Sequence, residues 1–205
     1  MFTIVDYGVG NLSSIQNMLK KGGTKSLISS DPDAIASATK ILLPGMGHFD
    51  NCMNRIHASG LLPVINQKIF TDKIPLLGIC VGLQMFMRSS EEGSEPGLDW
   101  INGRTVRFQK ELMPGELKIP NMGWLDVHAA KASPLLQGLE GSRFYFAHSF
   151  HIEPVDQQDL LLTAEYGYPF TVGVERDNII GVQFHPEKSH RFGMRLLQNF
   201  ANNYR

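Results

Sequence analysis

Apolar residues come in short unbroken runs in the first half of the chain and in shorter, interrupted runs in the second. Phe2–Asp6 reads as a buried strand and Asn11 to about Lys21 as a helix. Thr24–Ser29 and Lys40–Leu43 read as two further strands. Pro75–Ile79 is another apolar run, followed by a helix-like segment from about Gly82 to Arg88. Short strands without alternation, separated by helices, predict parallel βαβ units whose sites lie at the carboxyl ends of the strands. After the polar stretch Ser89–Gly97 the pattern changes to strand-like runs with little helix between them. Phe144–Ala147, Leu160–Glu165, Thr171–Glu175 and Ile179–Gln183 are the clearest, and a helix from about His190 to Tyr204 closes the chain. No internal repeat or low-complexity linker interrupts this order. The pattern predicts an α/β fold: a mostly parallel central sheet flanked by helices, with a smaller, partly antiparallel extension, in a single domain over 1–205.

Composition narrows this picture. With 205 residues and 42% hydrophobic positions, the chain can bury a sizeable core and is expected to be an ordinary globular protein. Lys+Arg 19 against Asp+Glu 20 leaves a formal net charge of −1, so neither nucleic acid nor an acidic membrane is expected as partner. Met1-Phe2-Thr3-Ile4-Val5-Asp6 lacks the basic start and apolar core of a signal peptide, and no apolar run approaches the ~20 residues that span a bilayer. Only Cys52 and Cys80 occur, which gives no disulfide scaffold. The expected compartment is the cytoplasm.

Candidate chemistry begins at Gly78-Ile79-Cys80-Val81-Gly82, a G-x-C-x-G match directly after a strand and before a helix. This is the cysteine form of a nucleophile elbow, where a sharp turn demands small neighbours. The turn would lift the sulfur above the sheet edge and set it at a helix N-terminus, which favours thiolate over thiol. The N–H of Val81 could donate to an oxyanion forming on a substrate. Taken alone, the match fits a buried structural cysteine equally well. Cys52, in Asp50-Asn51-Cys52-Met53-Asn54, has no elbow and reads as structural or incidental.

A thiol nucleophile needs a base, and the base needs an orienting group. His185, in Phe184-His185-Pro186-Glu187, follows an apolar strand that a parallel sheet would end at the same edge as Cys80. Pro186 is expected to hold the backbone extended, so that His185 and Glu187 point the same way. His148 and His151 stand at i, i+3 spacing, but in a strand they would face opposite sides, so no metal site is expected.

At these residues the sequence resembles the class I (triad) glutamine amidotransferases, and within them the glutaminase subunits of imidazole glycerol phosphate synthase. Asp6-Tyr7-Gly8-Val9-Gly10-Asn11-Leu12, Leu43-Pro44-Gly45-Met46-Gly47 and Gly78-Ile79-Cys80-Val81-Gly82-Leu83-Gln84 carry the resemblance in the first half. Lys118-Ile119-Pro120-Asn121-Met122-Gly123-Trp124, Tyr145-Phe146-Ala147-His148-Ser149-Phe150 and His185-Pro186-Glu187-Lys188-Ser189 carry it in the second. The resemblance implies a flavodoxin-like fold and a Cys80–His185–Glu187 triad that releases ammonia from glutamine. It further implies that Gly45, Met46, Gly47 and Val81 serve the oxyanion, and that Gln84, His148, Ser149 and Phe150 hold the amino-acid end of the substrate. It implies no cofactor. The partner it implies is a (βα)8-barrel cyclase that activates the glutaminase and takes the ammonia in histidine biosynthesis. Tyr7, Asn11, Lys118, Asn121, Trp124 and Lys188 match segments at that interface.

The sequence departs from the pattern twice. Asn121 stands where the family's Lys-x-Pro-His-Met-Gly-Trp has histidine. Ser90-Glu91-Glu92-Gly93, leading to Gly97-Leu98-Asp99-Trp100-Ile101, resembles a paralogous branch that supplies ammonia for amination of a surface-polysaccharide sugar. Peptidases and chaperone-like hydrolases of related fold do not call for Gln84, the Tyr145–Phe150 segment and His185-Pro186-Glu187 together, and a non-catalytic binding subunit is expected to have lost Cys80, His185 or Glu187.

Overall fold

A computed structural model describes residues 1–204. Its first half runs β1 (Phe2–Val5), α1 (Leu12–Lys21), β2 (Ser26–Ser29), α2 (Pro32–Ala36), β3 (Lys40–Gly45), α3 (Phe49–Ala58), α4 (Leu62–Asn66), β4 (Leu76–Cys80) and α5 (Val81–Gln84). The second half runs β5 (Ser89–Ser90), β6 (Gly103–Arg107), β7 (Asn121–Ala129), β8 (Arg143–His148), β9 (Phe150–Pro154), β10 (Leu160–Glu165), β11 (Pro169–Arg176), β12 (Ile179–Val182) and α6 (His190–Asn203).

The strands β2-β1-β3-β4-β12 pair in that order, each parallel to its neighbour. That is the doubly wound order of flavodoxin-like sheets. The interior strands β1, β4 and β12 are buried at every residue, which is why they read as continuous apolar runs, whereas the edge strand β2 stays partly open. Helices cover the sheet through apolar stripes: α1 buries Ile15 and Leu19, and α6 buries Leu196, Leu197 and Phe200. Phe200 meets Phe2 edge-to-face at 5.6 Å between ring centroids.

From β12 the same sheet continues antiparallel through β11, β10, β7 and β8, with β9, β6 and β5 branching from β11. The chain therefore leaves the parallel sheet after β4, builds the extension, and returns as β12 beside β4, with Val182 paired to Ile79. This return puts the carboxyl ends of β4 and β12 side by side.

Two sequence expectations change here. The helix expected over Gly82–Arg88 stops at Gln84. The carbonyls of Met85, Phe86, Met87 and Arg88 accept N–H groups from Gly97 to Ile101, not from a following helical turn. Gly97 permits this approach, since a Cβ there would lie 1.9 Å from the Met87 carbonyl oxygen. The segment Gly97–Ile101 thus serves as a cap on α5. Likewise Pro186–Lys188 forms a 3-10 turn, not an extended segment.

Candidate active site

The elbow is present and strained. Cys80 has φ 55° and ψ −113°, a left-handed conformation rare for a residue with a Cβ. Its neighbours must be glycine: a Cβ on Gly78 would come within 2.4 Å of the Phe86 ring, and one on Gly82 within 2.1 Å of the Leu43 carbonyl oxygen. Cys80 is buried but lines a cavity of about 290 Å³ with Val81 and Gln84 from the same turn.

His185 reaches the same cavity from the end of β12, where its ring lines the wall with Cys80. Its Nδ1 lies 2.9 Å from Glu187 Oε1. The expected pair is formed, but by the 3-10 turn: that turn folds Glu187 back under the ring, with its side chain 2% exposed. Burial alone would push the imidazole down. The bonds and charges of Cys80 and Glu187 outweigh this and hold His185 up to about 10. Ser189 fixes the backbone here, donating from its hydroxyl to the His185 carbonyl at 2.7 Å.

Met46 and Gly47 form one wall, and Gly47 adopts φ +89°. Cys52 donates to the Met46 carbonyl at 3.5 Å and the Tyr7 hydroxyl donates to Pro44 O at 2.7 Å, so this strand end is held from below. Gly45 does not line the cavity. It pairs with Cys80 across β3 and β4, and a Cβ there would lie 2.3 Å from the Gly82 nitrogen, so it is a close-packing glycine.

His148, Ser149 and Phe150 complete the opposite wall with Ala147 and Pro120. The strand does not continue through them: β8 ends at His148 and β9 begins at Phe150. His148 and His151 therefore do not face opposite sides, as their spacing in one strand had predicted. Both rings pack on Phe108, at 5.2 and 5.0 Å between centroids. Among the described residues no group of His, Cys, Asp or Glu is placed to hold a metal.

Three wall or near-wall residues escaped the sequence reading of the substrate site. Glu92 lines the cavity and accepts the Phe49 N–H at the start of α3 at 2.9 Å. It is positioned because Asp50 clamps the next residues, accepting the N–H groups of Ser94 and Glu95 at 3.0 Å each. Those bonds hold the Asp50 carboxyl below the usual carboxylate range. Lys188, read only as an interface residue, also lines the cavity. Gln183 is fully buried and donates toward the Cys80 sulfur at 3.7 Å. No local signal marks Gln183, whose role depends on β12 lying beside β4. Of the interface candidates, Lys118 and Lys188 are exposed and Asn11 and Trp124 are partly exposed, whereas Tyr7 and Asn121 are buried.

Comparison with known proteins agrees with this geometry. The family model described as glutamine amidotransferase class-I matches residues 3–203. The chain is 47% identical over 201 residues to imidazole glycerol phosphate synthase subunit HisH 2 of Methanococcus maripaludis, covering 98% of each chain. It is 46% identical over 202 residues to the protein of the same name in Pseudomonas aeruginosa, again covering 98% of each. It is 45% identical over 203 residues to subunit HisH of Leptospira borgpetersenii, covering 98% of this chain and 100% of that one. Among solved structures, that of PurLQS from Thermotoga maritima superposes with a TM-score of 0.74 at 17% identity, over 98% of this chain and 97% of the other, and so shares the fold. By its sequence over almost its whole length, the chain belongs to the class-I glutamine amidotransferase family.

Proposed function

We propose that the chain is the glutaminase subunit of an imidazole glycerol phosphate synthase, with Cys80 as nucleophile, His185 as acid and base, and Glu187 as its orienting carboxylate. The observation that carries this reading is a strained elbow cysteine sharing one cavity with a histidine that is itself bonded to a buried glutamate. The thiolate attacks the side-chain amide carbon of glutamine, and the oxyanion is met by the Val81 N–H and by N–H groups of the Met46-Gly47 loop. The His185 imidazolium protonates the departing nitrogen, and ammonia leaves as the thioester forms. Water, giving its proton to His185, then hydrolyses the thioester to glutamate, and the sulfur leaves as thiolate beside the restored imidazolium.

An amino-acid substrate brings an ammonium group into the cavity. Glu92 is the carboxylate in the cavity wall, since Glu187 lies behind His185, and it pairs with that ammonium. Ammonia would be protonated in bulk water, so the product passes directly to a barrel-type cyclase seated over the cleft. The exposed Lys118 and Lys188 and the partly exposed Trp124 border that seat.

Cys80→Ala should lower glutamate release in the presence of the cognate cyclase by at least about three orders of magnitude. Release at the parent rate would refute the assignment. The similar proteins of M. maripaludis and P. aeruginosa carry the designation HisH 2. That numbering keeps a second reading in play: a paralogous glutaminase feeding a cyclase-like partner that aminates a surface-polysaccharide sugar. Rescue of a histidine-requiring strain lacking its own glutaminase subunit separates the two, since only the first reading predicts growth without added histidine.

A further inference from the structure

The triad leaves one group on the reacting sulfur unexplained. Gln183 Nε2 points at Cys80 Sγ from 3.7 Å. It belongs to a connected set of buried amides and one imidazole: Gln84, Asn121, His148 and Gln183 are exposed by 2%, 1%, 6% and 0%. His148 Nδ1 and Gln84 Nε2 both approach the Phe150 carbonyl, at 2.8 and 3.0 Å. Gln84 Nε2 also meets Gln183 Oε1 at 3.1 Å, and Asn121 Nδ2 meets His148 Nε2 at 3.1 Å.

The Phe150 carbonyl can only accept, and that fixes the polarity of every other member. Gln84 must turn its NH2 to that oxygen, and the same NH2 then requires the oxygen of Gln183. Gln183 is left with its own NH2 toward Cys80. The reversed amide would set two donors against each other between two buried side chains. On the other branch His148 must carry its proton on Nδ1. Its Nε2 is then an acceptor and takes the NH2 of Asn121, its cross-strand partner in β7 and β8. Burial keeps the ring neutral, which this pattern needs.

We propose that Gln183 is a catalytic residue that stabilises the Cys80 thiolate by donating to it, and that Asn121, acting through His148, the Phe150 carbonyl and Gln84, positions that donor. The inference rests on the reading of Cys80 as nucleophile and goes beyond the triad. It gives Asn121 a defined task inside the glutaminase site, independent of which acceptor takes the ammonia. Asn121 follows Pro120 at the cavity wall, so whatever displaces this segment also acts on the sulfur.

Other groups also set the charge on the sulfur. His185, with Glu187 behind it, faces it from the turn after β12, and Tyr7 and Cys52 lie close enough to feel its charge from the end of β1 and from α3. Glu92, Lys188 and His148 stand in the cavity wall. The test must therefore read the thiolate itself. The rate of iodoacetamide alkylation of the Cys80 peptide, followed by mass spectrometry against pH in the complete chain, does so and separates Cys80 from Cys52. Loss of a hydrogen bond to a charged group corresponds to about one to two pH units. Gln183→Leu is expected to raise the alkylation midpoint by about that much. Gln183→Glu keeps the side-chain shape and the acceptor for Gln84 while losing the donor, and should raise it at least as far. Asn121→Ala should raise it by less, in the same direction.

A midpoint unmoved in folded Gln183→Glu would overturn the donor role. A midpoint moved by the Gln183 variants but not by Asn121→Ala would overturn the positioning chain. A merely structural role would lower the rate at every pH without moving the midpoint. Glutamate release by Cys80→Ala, by contrast, would defeat the proposed function while leaving the alkylation result readable.

Discussion

At the scale of single residues, two histidines have been pushed in opposite directions by their surroundings. His148 is held neutral by burial, down to about 3, from an ordinary value of 6.5. As pH falls below that ordinary value the unfolded chain takes up a proton that folded His148 refuses, so stability is lost between about 6.5 and 3. The urea midpoint should decline with acidification over this window, and more shallowly in His148→Gln. His185 runs the other way, with a value near 10. Its charged form contributes stability that is full below the ordinary value and is lost as pH rises through about 10. Glu187→Gln removes the charge that helps hold it there. The alkaline limb of kcat/KM for glutamate release should move down by about one to two pH units, and kcat should fall by about 10²–10⁴-fold. An alkaline limb that stays in place would show that Glu187 does not set the acid.

At the scale of elements, the elbow works because β3, β4 and α5 come closer than side chains allow. Gly82 faces the Leu43 carbonyl and Gly45 faces the Gly82 nitrogen, so the turn carrying Cys80 is wedged against the strand that leads to Met46 and Gly47. Gly82→Ala would drive these two apart, and overpacking of this kind costs about 3 kcal/mol. Chemical denaturation should show a loss of that size, accompanied by weaker glutaminase activity in the remaining folded protein. The G-x-C-x-G match was legible from sequence because it is local. The early end of α5 was not, since its carbonyls are taken by residues from Gly97 onward. The 3-10 turn at Pro186–Lys188 escaped for a related reason: His185 and Glu187 meet by folding back, and spacing alone cannot separate that from an extended pair.

At the scale of the whole molecule, one sheet and one continuous core join the parallel half to the antiparallel extension. Helix α6 adds a further tie, with Asn199 Nδ2 donating to the carbonyls of Leu135 and Gln137 at 2.8 Å each. We infer a single cooperative domain over the described residues. Trp100 lies in the cap on α5 and Trp124 in β7, so tryptophan fluorescence samples both halves. Its thermal transition should coincide with that of far-UV circular dichroism. Two separated transitions would divide the chain into independent units.

Local patterns along the chain were enough to read the elements of the parallel sheet, the elbow cysteine and the histidine–glutamate pair. Each depends on contiguous apolar runs or on residues within a few positions of one another, and such patterns survive without knowledge of the fold. The surroundings of the sulfur come instead from long-range folding. It brought Gln183 to Cys80 by laying β12 beside β4, and Glu92 to the cavity through the Asp50 clamp. It also packed Gly45 against Gly82, and made Asn121, an interface candidate, a buried partner of His148. These are contacts between residues distant in the chain. Hydrogen-bond polarity and close packing fix them, and neither is written in any local pattern.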